Sequence, residues 1–192
     1  MLVGIGFFAA MMTYAVFFAR LLNHGLPPAK QSPSLLLLVG PCGQSSAALQ
    51  QLGATAMQHF GRYNKGTFLT SSGASVLSTV GVLLGLLFTG MAVLFTAFAL
   101  YVILEAAVKR EHEYSLFWWS TIFPLATVNT ACISFSIEMD SPAFRGLSAA
   151  LLLLLLVDYF VNWGFTLRDI VQGKLLSGKR SEDPWVDRMK EQ

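Results

Sequence analysis

Charged side chains make up only 12% of the 192 residues, against about 25% in an ordinary soluble domain. Hydrophobic residues reach 54% and run in long stretches, and the mean hydropathy is +0.57. This excludes a typical soluble globular fold and indicates an all-α integral membrane protein. A formal net charge of +2 is too small for a nucleic-acid-binding surface. Cysteine is also scarce. Cys42 and Cys132 fall in apolar segments with no CxxC spacing, which argues against a disulfide framework or a zinc site. They read as inert buried thiols. His24, His59 and His112 are scattered at segment ends and form no metal constellation. Neither HExxH nor a nucleophile–base spacing is present, so an enzyme is the least favoured class, and no cofactor is implied.

What the chain does have is apolar length. A membrane helix needs about 20 mostly apolar residues, and five stretches qualify, at roughly 2–22, 35–60, 76–108, 115–137 and 146–167. Between them lie "NHGLPPAKQSP", "GRYNKGTFLTSSGAS", "KREHEYS" and "EMDSPAFR", all rich in turn formers or charge. The first segment has no basic n-region and is too long for a signal-peptide core, so it reads as a span. Residues 1–170 therefore form a transmembrane domain, followed by a polar tail at 171–192.

Arg20, Lys30, Lys109, Arg110, Arg168 and the basic residues of the tail fall on one side of such a bundle, and only Arg62, Lys65 and Arg145 on the other. The positive-inside rule makes the first side, and the C-terminus, cytoplasmic. Five spans then put the N-terminus outside. Because the apolar run begins at Met1, the expectation is that the chain is the C-terminal half of a longer membrane protein or a truncated gene.

The spans differ in kind. The third and fifth are aliphatic and aromatic. The second carries Gln44, Ala48, Gln51, Thr55 and Gln58 at one helical phase, preceded by Pro41, where a kink is expected. The fourth carries Ser120, Phe123, Thr127, Thr130 and Ser134 on one face, with Pro124 expected to kink it. Polar side chains in hydrocarbon either glue helices together or face a water-filled path. Two stripes on proline-broken helices favour a path lined by Gln44, Gln51, Thr55, Ser120, Thr127 and Thr130. Neither stripe has an acidic residue, which suits an anion better than a cation. Phe123 is the bulky member, with two open readings: a dewetting gate, or interhelical packing.

Asp158, inside the fifth span, also has two readings. It is either a candidate coupling group, or a residue near the interface with Tyr159 and Trp163 as belt aromatics. Glu105 is placed to pair with Lys109 or Arg110 one turn on. "GKRS", ending at Ser181, is a weak match to a basophilic kinase site.

Two of these stretches resemble a known family. "FWWSTIFPL" (Phe117 to Leu125) resembles the signature of the tellurite-resistance/dicarboxylate transporter family. That family includes the slow-type anion channels of plants and the malate and sulfite transporters of fungi. "VGPCGQSSAALQQLG" (Val39 to Gly53) is similar to a segment of its sulfite efflux branch, and "RLLNHGLPP" fits the loop before it. The resemblance implies ten transmembrane helices in five hairpins around a pore, assembled as a homotrimer. The spans here would be the last five, with the second and fourth lining the pore and Phe123 matching the family's gating phenylalanine. It implies sulfite efflux at the plasma membrane. The alternatives are a C4-dicarboxylate (malate) carrier, for which a basic residue would be expected in the lining, and a truncated, non-conducting subunit.

Overall fold

The computed structural model describes residues 2–109 and 114–173. Arg110, His112 and the tail from Lys174 onward lie outside the described residues. Five α-helices follow in order: α1 (Leu2–His24), α2 (Val39–Tyr63), α3 (Ser71–Val108), α4 (Ile122–Glu138) and α5 (Pro142–Val171). Two 3-10 helices, Ala29–Leu38 and Leu116–Thr121, lead directly into α2 and α4. The protein is an all-helical membrane protein, and among the described residues the only β pairing is an isolated bridge, Lys65 to Leu69.

The turn chemistry explains the breaks. Gly25, at φ +74°, ends α1 in a left-handed conformation that favours glycine. Asn64, at φ 40°, caps α2 in the same region. The Thr70 hydroxyl accepts from the Gly73 N–H at 3.1 Å and caps α3. Pro142 stands in the first turn of α5, where its missing N–H costs no helical bond.

Pro41 and Pro124 are each the third residue of their α-helix. The sequence reading placed a kink at each; the structure has at each a change from 3-10 to α geometry just upstream. A proline has no N–H for the carbonyls one turn back, so other side chains serve them. The Tyr14 hydroxyl donates to Leu38 O at 2.7 Å, beside Pro41. Pro33 deprives Lys30 of its 3-10 partner, and Ser115 Oγ donates to Lys30 O at 2.9 Å. Ser120 Oγ reaches Pro33 O at 3.1 Å, so side chains stitch the two 3-10 segments together.

α2 is the hub, packed against both α3 and α4, and α4 in turn packs on α5. Small residues allow backbone contact here. A Cβ added at Gly81 would lie 2.6 Å from Leu49 O, and one at Gly53 would lie 2.7 Å from Ser78 Cα. One apolar cluster gathers Tyr14, Leu35, Leu38, Phe95 and Val102, and a second centres on Ala47, Ala131 and Phe135. Phe144 stacks on Phe135 with ring centroids 5.0 Å apart. Both cysteines are free and buried, and Lys109 pairs with Glu105 at 2.7 Å.

Among the described residues, four stretches are long and apolar enough to cross a membrane: α1, α3, Leu116–Glu138 and α5. α2 is not in that set, because Gln44, Gln50, Gln51 and Gln58 lower its hydropathy. Its polarity has to be met by other helices or by water.

Candidate anion pathway

The polar side chains of α2 divide between two faces. Gln44, Gln51, Thr55 and Gln58 are exposed, and Ala48 is half-buried among them. Ser46 and Gln50, on the opposite face, are buried between α2, α3 and α4. The fourth-span stripe divides as well. Phe123 and Thr130 are exposed, and Ser120 and Ser134 are half-buried. Thr127 is buried in the α2–α4 contact, where its hydroxyl donates to Pro124 O at 2.8 Å. Its Oγ1 stands 2.6 Å from where a Cβ on Gly43 would be.

Local backbone bonding already occupies several of these hydroxyls. Thr130 Oγ1 donates to Ala126 O at 2.9 Å, and Ser134 Oγ to Thr130 O at 3.2 Å. Such back-bonding lets a hydroxyl sit in an apolar setting while its oxygen can still accept. The amides of Gln44 and Gln51 are therefore the side chains best able to donate outward on this face.

Phe123 lies beside Gly40: a Cβ there would come within 2.9 Å of the ring. With 58% of its surface exposed, the ring packs on α2 along one edge only. It borders a cavity of about 380 Å³, shared with Pro41, Gln44 and Ala48 of α2 and with Leu2 and Phe7 at the start of α1. Glycine at position 40 is what allows the aromatic ring to sit this close to α2.

Asp158 belongs to a separate network that the sequence reading did not anticipate. Thr121 Oγ1 donates to its Oδ2 at 2.5 Å, and Asn162 Nδ2 donates to its Oδ1 at 3.0 Å. The Tyr114 hydroxyl donates to Asn162 O at 3.0 Å and lies 2.8 Å from Thr166 Oγ1. Trp119 Nε1 donates to Thr166 Oγ1 at 2.9 Å. Trp119 also meets Tyr159 and Trp163 edge-on. The carboxylate's partners among the described residues are thus a hydroxyl and an amide, and the network ties α5 to the segment ahead of α4.

A buried polar node joins α2 to α3 and α4. Ser46 Oγ donates to Gly85 O at 2.9 Å and lies 3.0 Å from Thr89 Oγ1. Gln50 Nε2 donates to Ser46 Oγ at 3.3 Å, and Gln50 Oε1 is buried without a partner. Gln50 was missed because it is adjacent to Gln51 in sequence but falls on the other face. The signal that could have found it is the run of small residues Gly43, Ala47 and Gly53, which marks the packed face.

These features define a class: a multi-pass, all-helical membrane protein with an uncharged polar face among apolar helices. The chain belongs to the voltage-dependent anion channel family, whose description matches residues 1–167. It is 30% identical over 135 residues to the sulfite efflux pump SSU1 of Trichophyton rubrum, a match covering 70% of this chain and 34% of that protein. The SSU1 protein of Arthroderma benhamiae matches to the same extent, and that of Arthroderma otae is 29% identical. The chain thus spans about a third of the length of the curated relatives it matches. No solved structure matches.

Proposed function

We propose that this chain supplies part of a passage for a small inorganic anion, with sulfite the favoured substrate. The observation that carries the reading is the exposed face of α2, where Gln44, Gln51 and Thr55 stand on a membrane helix with no carboxylate among them. Amide and hydroxyl donors can replace part of an anion's hydration shell, and the lack of fixed negative charge removes a barrier to its entry. Thr130 on α4, and Ser120 near the end of the 3-10 segment that leads into it, extend that lining. Thr127 contributes by holding α4 against Gly43. Phe123 serves as the gate, and Asp158 as a coupling or anchoring group behind the lining.

The sulfite assignment draws on the SSU1 relatives. A malate-type carrier is the second reading, set lower because among the described residues the exposed faces of α2 and α4 carry a single Lys or Arg, Arg62 in the last turn of α2. The passage is completed by further helices, from a longer chain or a second polypeptide, and the assembly is a homotrimer in the plasma membrane with its C-terminus cytoplasmic.

The test is sulfite efflux and survival in a fungal strain without its own sulfite pump. The chain is expressed alone and together with the N-terminal part of a full-length relative. Rescue that requires the added part is the expected result. Failure of both, with both chains verified at the plasma membrane, would move the assignment first to malate uptake and then to a non-conducting subunit.

A further inference from the structure

The polar stripe of α2 does not stop at Gln58. From Gln44 to Arg62 is about five helical turns, so the two side chains leave the helix at the same phase, roughly 27 Å apart along its axis. That distance approaches the thickness of a hydrocarbon core, about 30 Å. Phe123 lies beside Gly40, near one end of the stripe, and Arg62, exposed in the last turn of α2, marks the other. The loop that follows packs away from Arg62. The rings of Phe60 and Phe68 stand 5.6 Å apart, and a Cβ on Gly61 would lie 2.8 Å from Ser71 Oγ. The guanidinium is also uncompensated. Arg62 belongs to neither of the ion pairs Lys109–Glu105 and Arg145–Asp140, and it makes no hydrogen bond among the described residues. No Asp or Glu occurs anywhere from Val39 to Leu104. Glu138, which ends α4 toward the same membrane face, is exposed and forms no ion pair with Arg62. Lys65, the next cation along, sits over the Tyr63 ring at 5.3 Å.

We infer that Arg62 concentrates anions at one mouth of the passage, opposite the end that Phe123 borders. The inference rests on the reading of the α2 face as a passage lining, and it adds the point at which fixed charge enters that lining. The amides and hydroxyls below Arg62 replace hydration but attract nothing over distance, whereas a full charge does. A unit positive charge about 10 Å away through water roughly doubles the local concentration of a monovalent anion and raises that of a divalent one about fourfold. Low-dielectric walls around a mouth focus that field further. A cation in the last turn of a helix also favours the helix dipole. That accounts for a basic residue at this end of α2, but not for its standing in phase with Gln44, Gln51 and Thr55. The two roles differ in their response to salt. An exposed charge acting on an approaching anion reaches about 30 Å at 0.01 M ionic strength and about 3 Å at 1 M.

The test is the current carried by sulfite, at alkaline pH where it is the dianion, in excised patches. The patches hold this chain together with the N-terminal part of a full-length relative, and sulfite is applied to each side in turn. Arg62→Gln should lower the current about fourfold at roughly 0.01 M ionic strength, for entry from one side only, and the loss should vanish near 1 M. Arg62→Lys should keep the current. Arg168→Gln, in the last turn of α5 at the opposite membrane face, should leave entry from the Arg62 side unchanged. An undiminished current in Arg62→Gln at low salt overturns the inference and leaves the passage standing. A loss of equal size at both ionic strengths, with a lower thermal midpoint, overturns it too and makes Arg62 a helix-capping cation. No sulfite current from the unaltered assembly strikes the passage itself, and this inference with it.

Discussion

Thr121 and Asp158 meet at 2.5 Å, the hydroxyl at the end of a 3-10 segment donating to a carboxylate in α5. With Asn162 on the other oxygen, the carboxylate has a donor on each oxygen, which is what makes it tolerable within an apolar helix. Thr121→Val keeps the side-chain shape and removes one donor. It should destabilise the protein by about 1–3 kcal/mol, read as a lower thermal midpoint in detergent, while Thr121→Ser should restore most of the loss. An unchanged midpoint for Thr121→Val would mean that water replaces the donor.

Glycines 43 and 146 make a matched pair. A Cβ at Gly43 would lie 2.6 Å from Thr127 Oγ1 and 2.9 Å from the backbone nitrogen of Val128, whereas one at Gly146 meets nothing within 4 Å. Gly43→Ala should cost about 1–3 kcal/mol by forcing α2 and α4 apart. Gly146→Ala should be neutral or stabilising by roughly 0.5–1 kcal/mol. Thermal denaturation of both variants side by side checks the α2–α4 contact, since equal effects would contradict it.

Gln50 is only 2% exposed, and its amide oxygen has no partner. Gln50→Leu removes an unsatisfied acceptor while keeping most of the volume, so it should leave stability unchanged or raised. Gln50→Ala should lose about 2 kcal/mol, because it leaves a cavity beside Gly85. If Gln50→Leu destabilised the fold as much as Gln50→Ala, the oxygen would have to be bonded to a buried water.

Phe123→Ala should raise anion conductance through the assembled passage, because it removes the ring that stands over Gly40 and Gln44. Electrophysiology or anion flux at matched surface expression is the measurement. Phe117→Ala, just ahead of the same helix, should not raise it. No change in Phe123→Ala would return the ring to interhelical packing.

The helices were legible in the sequence because hydrocarbon demands length and the intervening turns use residues with plain backbone meanings. Gly25, Asn64 and Pro142 each end or begin a helix near a predicted boundary. The 3-10 segments were not legible. Their residues, including the run Leu35 to Leu38, suit an α-helix equally well, and what selects the tighter winding is tertiary: Ser115 and Ser120 bonding to carbonyls more than 80 residues away in sequence. The α2 stripe was legible as a face, but its partner face was not, because periodicity alone cannot say which of two polar faces packs. The network of Tyr114, Asn162 and Thr166 joins a loop residue ahead of the second 3-10 segment to two residues one turn apart on α5, none of which stands out alone.

The bonds from Ser115 to Lys30 and from Ser120 to Pro33 bear on how the bundle can move. They fasten the beginnings of both proline-bearing helices to each other at one membrane face, while the far ends of α2 and α4 have no such clasp among the described residues. Sliding one helix along the other would strip Lys30 O of the donor that replaces the missing proline N–H, a loss of about 1 kcal/mol for a typical hydrogen bond. Pivoting about the clasp keeps it covered. The joint works as a pin, and it predisposes the far ends of the two helices to swing apart by rotation.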